Sequence, residues 1–363
     1  MLGLSRAGEK AILLEARGFF MRTLKFWLLY GISVFFIFAT CLCMLLLLCT
    51  ASMWLRESLT IEEAAPLTGQ HVETRDSKIF VFEAGRFDRQ PVVFINGEWS
   101  WGGLWSMTAD PVTENHFRSI TLDMPPFGYS QRLRDPDSYL TSLQAVRILD
   151  VLEKLEAKKP VIVCHSAGCR PAMEAALMKP RLFDKLVLVC PILGLSGDRK
   201  NPRFDDTELE GFWRTLFKMK QLRNSALASY GANDFSIQSI MRAMVAKPEA
   251  ISAGRLDLFT APLRIEYTTQ AYGDWLENFI FASKNAHVSN FSNFRRLRMP
   301  VLIIWGGKDI VTPLWQGEAL QKMLPNAQLK VMPDVGHIPY IEDINVFNKT
   351  LLNFLHGKPL DAR

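Results

Sequence analysis

The sequence predicts an α/β fold: a mostly parallel sheet covered by helices on both faces, with a helical insertion late in the chain and one membrane-crossing helix near the N-terminus. Three observations predict it. Short β-branched runs alternate with longer helical patterns from residue 78 onward, this alternation is interrupted over residues 195–290, and the segment Phe26–Leu55 carries no charged residue. Strands separated by helical crossovers pair in parallel, and helices then cover both faces, so the strands read as continuous apolar runs.

The elements follow in order. Ile79–Glu83, Val92–Ile95 and Ser119–Leu122 read as strands, and Leu140, Leu143, Ile148, Leu149 and Leu152 recur at helical spacing within residues 138–156. Val161–Cys164 is a short apolar strand, residues 168–178 a helix, and Leu186–Val189 a strand. After the insertion come a strand at Val301–Trp305, a helix at 314–323, a strand at Leu329–Met332 and a helix at 343–355. Pro160 and Pro300 precede two of these strands, where a missing N–H is tolerated. The insertion is rich in Phe212, Trp213, Phe217, Met219, Met241, Met244, Trp275, Phe279 and Phe281, and reads as a helical cap.

The N-terminal segment exceeds the ~20 apolar residues that a span needs, and no small-x-small cleavage site follows it. It reads as a signal anchor. Residues 1–25 hold five Lys and Arg against two Glu, whereas only Arg56 lies close behind the span. The positive-inside rule then places the N-terminus in the cytoplasm and the rest of the chain across the membrane. The whole chain carries net charge +5, of which this tail supplies most, leaving no electrostatic footprint for a nucleic acid. The expected divisions are a basic tail (1–25), the anchor (26–55), a linker (56–77), an α/β core (78–194 and 291–363) and the cap (195–290). The six cysteines show no zinc spacing and suggest no disulfide framework; Cys164, Cys169 and Cys190 read as buried small hydrophobes. No metal or cofactor is called for, and the sequence sets no oligomeric state.

The chemistry concentrates at Val161-Ile162-Val163-Cys164-His165-Ser166-Ala167-Gly168-Cys169. A serine on a sharp strand-to-helix turn is held in a strained conformation with its hydroxyl lifted clear of the sheet, and the following helix aims its N-terminus at developing negative charge. The segment resembles the nucleophile elbow of α/β hydrolases, Gly-x-Ser-x-Gly, with Cys164 in the first Gly position. Two further pieces follow in that family's order. Asp309 comes after the strand Val301–Trp305 and the turn Gly306-Gly307, and His337 comes on the loop after the next strand, in Met332-Pro333-Asp334-Val335-Gly336-His337. The resemblance implies a triad in which Ser166 is nucleophile, His337 its base and Asp309 the acid that orients the imidazole. Asp334 and Asp343 are the alternative acids, and His165 reads as structural.

The resemblance also implies two oxyanion donors. One is the backbone N–H of Ala167. The other is that of Glu98, in Asn96-Gly97-Glu98-Trp99, where Asn96 stands in place of the usual His. Asp123-Met124-Pro125-Pro126-Phe127-Gly128-Tyr129-Ser130 is similar to the family's Asp-x-Pro-Gly-x-Gly-x-Ser loop, and Asp123 reads as turn-forming. Ser166 excludes relatives that use an Asp nucleophile. With its anchor, Cys190-Pro191 and Ile304-Trp305-Gly306, the chain looks like membrane-bound monoacylglycerol-lipase-like members. The expected activity is hydrolysis of a carboxylic ester, acyl or lipid-like, through an acyl-enzyme. A thioesterase or a carbon–carbon hydrolase would use the same triad, and a membrane-tethered binding protein is the non-catalytic alternative.

Overall fold

The computed structural model describes residues 6–197, 202–204, 215, 217–231, 234–281 and 286–360. Helix α1 runs over Arg6–Arg56, longer than the charge-free run because the Ala, Leu, Glu, Arg and Lys before it are also good helix formers. Its stretch Arg17–Arg56 is long and apolar enough to cross a membrane, and none of its most apolar part is buried against the rest of the chain.

The sheet is built from β1 (Gln70–Glu73), β2 (Lys78–Ala84), β3 (Pro91–Ile95), β4 (Arg118–Asp123), β5 (Val161–His165) and β6 (Lys185–Val189). A small separate ribbon, β7 (Leu195–Gly197) and β8 (Pro202–Phe204), opens the insertion, and β9 (Val301–Gly306) and β10 (Ala327–Met332) complete the sheet. The order is β1-β2-β4-β3-β5-β6-β9-β10. β1 and β2 form an antiparallel edge, β2 also meets β4 antiparallel, and every later pairing is parallel. Every residue of β3, β5 and β9 is buried, which explains their unbroken apolar character.

β1 corrects the expectation that 56–77 is only a linker. Gln70–Glu73 pairs along β2, Leu59 bridges Ile265, and Ile61–Ala64 forms a helical turn closed by the Thr60–Glu63 capping box. A polar four-residue edge strand has one exposed side and little hydrophobic signal.

Helices α2 (Ser106–Glu114), α3 (Thr141–Lys154) and α4 (Cys169–Met178) cover the first half of the sheet. The insertion contributes α5 (Lys220–Ala226), α6 (Asp234–Met244), α7 (Ala253–Thr260) and α8 (Thr268–Ile280). Finally, α9 (Leu314–Met323) and α10 (Ile344–Leu355) complete the coverage. Of the aromatic residues expected in the cap, Phe212 and Trp213 lie outside the described residues.

Parallel register decides where function sits. Ile95 lies beside Cys164, His165 beside Val189, and Met332 beside Gly306, so β3, β5, β6, β9 and β10 end at one edge. The loops leaving that edge carry Glu98, Ser166, Asp309 and His337, and side chains far apart in sequence meet there.

Candidate active site

Ser166 follows β5 directly, with φ of 51°, a left-handed conformation that a serine adopts only under strain. The turn needs a bare backbone on its far side. A Cβ on Gly168 would come 2.0 Å from the Asn96 carbonyl oxygen, so the loop after β3 lies directly against the elbow. Gly306 plays the same part at the end of β9, where a Cβ would meet the Gly336 carbonyl at 1.9 Å and push the His337 loop away.

His337 Nε2 lies 2.8 Å from Ser166 Oγ and its Nδ1 lies 2.8 Å from Asp309 Oδ2. Asp309 also accepts from the backbone N–H of Val311 at 2.8 Å, from that of Thr312 at 2.9 Å, and from Thr312 Oγ1 at 2.7 Å. Burial pushes the Asp309 carboxyl up, but the bond and charge of His337 and the Thr312 donors outweigh it and hold the group below the usual carboxylate range. An anionic Asp309 can accept from a proton on His337 Nδ1, the arrangement in which Nε2 can accept from the Ser166 hydroxyl. The rival acids stand elsewhere: Asp334 pairs with Lys308 at the surface, and Asp343 caps α10.

Three features add to the sequence reading: the partners of His165, whose structural role was expected, then Glu342, then a cysteine pair. His165 is buried, donates from Nε2 to the His337 carbonyl at 2.9 Å, and has the Tyr340 hydroxyl 3.4 Å from Nδ1. Burial, helped by the nearby His337, pushes its pKa down to about 3, so it stays neutral and serves as a fixed strut under the His337 loop. Glu342 binds the same loop to the cap: its Oε1 accepts from the N–H of Gly336 at 2.8 Å and its Oε2 from that of Ala246 at 2.8 Å. The backbone N–H of His337 itself donates to the Met244 carbonyl, 2.9 Å away. The only sequence signal for Glu342 is an acid in an otherwise apolar turn soon after the histidine.

The third feature is a correction. Cys164 and Cys169 form a disulfide that straddles the elbow, with Cα atoms 4.9 Å apart. The turn folds the first residue of α4 back onto β5, and two positions that read as small buried hydrophobes become a covalent staple. Cys190 is a buried free thiol beside Asp309; burial first, and the Asp309 charge second, push its pKa well up, so it is neutral. Cys190, Asp309 and His337 bring potential ligand atoms within 4.8 Å of one another. Both imidazole nitrogens are already engaged, with Asp309 and Ser166, so this group reads as the acid side of the triad and not as an ion site.

The Asn96–Trp99 loop closes the site. Asn96 Nδ2 donates to Asp123 Oδ1 at 3.1 Å. Asp123 also accepts from the N–H groups of Gly102 (2.6 Å) and Tyr129 (2.9 Å), which makes it the buried knot of two loops. Burial raises its pKa to about 7 despite these donors. The Glu98 side chain, whose direction the sequence left open, faces the site: Oε2 lies 3.4 Å from Ser166 Oγ. On the other side of Ala167, a cleft is lined by Met124, Phe127, Trp275 and Phe279 together with Gln144 and Arg170.

Residues 92–348 match the model of the alpha/beta hydrolase family. The chain belongs to that family. This α/β hydrolase is 26% identical over 250 residues to an uncharacterized hydrolase, YugF, of Bacillus subtilis, covering 68% of this chain and 82% of that one. It is 26% identical over 286 residues to a 2-hydroxy-6-oxononadienedioate/2-hydroxy-6-oxononatrienedioate hydrolase of Comamonas testosteroni, covering 77% and 91%. Among solved structures it is similar to an esterase from Exiguobacterium antarcticum (TM-score 0.62, 18% identity, 79% of this chain and 99% of that one). It is also similar to a meta-cleavage product hydrolase from Pseudomonas fluorescens (TM-score 0.64, 21% identity, 80% and 98%). At such identities these two show the fold alone. The chain is a hydrolase of this family, so the reading as a non-catalytic tethered protein falls away.

Proposed function

We propose that the protein is a membrane-anchored serine hydrolase that cleaves a carboxylic ester with an acyl or lipid-like acid part. The observation that carries this reading is the hydrogen-bonded line from Ser166 Oγ through His337 to Asp309, at 2.8 Å in both steps. His337 Nε2 takes the hydroxyl proton as Ser166 Oγ attacks the ester carbonyl, and Asp309 stabilises the imidazolium. The N–H groups of Ala167 and Glu98 are the donors for the tetrahedral oxyanion. The alcohol leaves with the proton from His337. Water then attacks the acyl-Ser166 ester, giving its proton to His337; the tetrahedral species expels Ser166 Oγ, which takes that proton back, and the free acid departs.

The aromatic side chains of Phe127, Trp275 and Phe279 near Ala167 support an apolar acid part. The Glu98 carboxylate supports a neutral substrate over an anionic one. The Comamonas relative is named for dicarboxylate substrates, and a carboxylate placed near Ser166 would meet Glu98 at close range. For that reason we favour a neutral ester over the dienedioate and trienedioate substrates for which that relative is named.

The anchor reading rests on the apolar exposed length of α1, and the orientation on the N-terminal basic excess. The Cys164–Cys169 bond adds support for an extracytoplasmic catalytic domain, because disulfides persist in oxidising compartments. A panel of p-nitrophenyl esters tests the substrate class: kcat/KM rises from acetyl toward longer acyl chains. A preference for acetyl, or turnover confined to dienedioates, would contradict it.

A further inference from the structure

The cap is fastened to the end of the anchor helix. Thr50 Oγ1 lies 2.8 Å from Ser225 Oγ of α5, and α5 packs along α1. Met53 is buried at this junction. Glu57 Oε1 accepts from the backbone N–H of Thr269 at 3.0 Å and also from its hydroxyl, while Arg56 donates to that hydroxyl at 3.3 Å. The backbone continues the seam: Ser58 and Leu59 N–H donate to the Arg264 carbonyl, and Glu266 N–H donates to that of Leu59.

The length of the span fixes how far this junction is from lipid. The charge-free run is Phe26–Leu55, and a hydrocarbon core of about 30 Å takes roughly 20 residues of it. Placed as early as the run allows, the span ends at Leu45, and Thr50 lies about 8 Å beyond, within the headgroup layer. Any later placement draws Thr50 and Ser225 deeper. The cap therefore meets the membrane wherever the span is set.

We infer that the cap is a lipid-contacting surface, with α5 resting in the headgroup layer of the bilayer that α1 crosses, so that the site is approached from the lipid phase. The path from this surface to the chemistry is short. Tyr272, one turn along α8 from Thr269, sets its ring 4.0 Å from that of Trp99, the neighbour of Glu98 beside Ser166. This inference rests on α1 spanning the membrane, and the test separates the two.

The test uses the full chain in nanodiscs containing anionic lipid, with Cys41, Cys43 and Cys49 changed to alanine and one fluorophore placed at Ala226→Cys, Phe36→Cys or Phe87→Cys. Ala226 is exposed and adjoins Ser225; Phe36 is exposed on α1; Phe87 is exposed before β3, at the sheet edge opposite the site. Quenchers sit either on the headgroup or midway along the acyl chain. The Phe36→Cys label loses fluorescence to the mid-chain quencher, the Ala226→Cys label to the headgroup quencher, and the Phe87→Cys label to neither. Quenching at Phe36→Cys without any at Ala226→Cys overturns the inference and leaves the anchor intact. An unquenched Phe36→Cys label overturns the anchor itself and the inference with it.

Discussion

The core and the cap of this hydrolase are held together in different ways. In the core, β3, β5 and β9 have no exposed residue and end in register; Glu98, Ser166 and Asp309 leave strand ends with a neighbour on each side, and His337 leaves the edge strand β10, paired along β9. In the cap, α8 carries a run of rings, with Tyr272 and Trp275 at 5.6 Å and Trp275 and Phe279 at 4.8 Å, and polar stitches join the region to its surroundings. Glu342 ties it to the His337 loop, and Thr269 ties it to Glu57 just beyond the end of α1. On the proposed function this difference is a division of labour: the sheet holds the chemistry, and the cap, through α8, shapes what reaches it.

Substitutions can break or sharpen that division. The largest effect belongs to the core. Ser166→Ala and His337→Ala lower kcat by roughly 10⁴-fold or more, and Asp309→Asn by about 10³–10⁴-fold through the wrong imidazole tautomer, with folding unchanged by circular dichroism. Should a cap substitution cost as much, the division would be wrong.

The next effect is one of pH. His165 is neutral in the fold with a pKa near 3, whereas it takes up a proton at about 6.5 once unfolded. A depressed folded pKa gives stability that is complete above the unfolded value and is lost as pH falls toward the folded one. His165 thus contributes a loss of about 1.4 kcal/mol per pH unit between those limits. In denaturant titrations at pH 5.5 and 4.5, His165→Gln reduces this slope; an unaltered slope would mean that the strut is not buried and neutral.

Smaller still is the elbow staple. Opening the short loop closed by Cys164–Cys169 costs about 2 kcal/mol by chain entropy, so Cys164→Ala with Cys169→Ala lowers the unfolding midpoint in denaturant while leaving the triad in place. The smallest effects fall on selectivity. Trp275→Ala shifts the preferred acyl length with a change in kcat/KM of about tenfold, and Glu98→Gln narrows the gap between neutral and carboxylate-bearing esters by a similar factor.

Much of this fold was legible because buried parallel strands leave continuous apolar runs and covering helices leave a 3.6-residue rhythm. The lines that became β3, β5 and β9 were of this kind. β1 escaped because it is short, polar and at an edge, and α2 because Pro111 and its acid and threonine residues mask a helical pattern. At the site, Ser166, Asp309 and His337 stood out because each follows a strand in the family's order. His165 read as structural, but its partner carbonyl did not show; Glu342 and the cysteine pair were not legible at all, since their roles depend on a loop and a sulfur that only folding brings near. The direction of the Glu98 side chain is likewise a rotamer choice made by its surroundings.

The central claim is that Ser166 is an activated nucleophile. Treating the full chain in membranes with a fluorophosphonate probe tests it most directly, with the adduct located by peptide mass spectrometry. Stoichiometric phosphonylation of Ser166 is expected in the wild-type protein and none in Ser166→Ala or, within the same time, in His337→Ala. Folded wild-type protein that takes up no probe, or a Ser166→Ala variant labelled to the same extent, would contradict it.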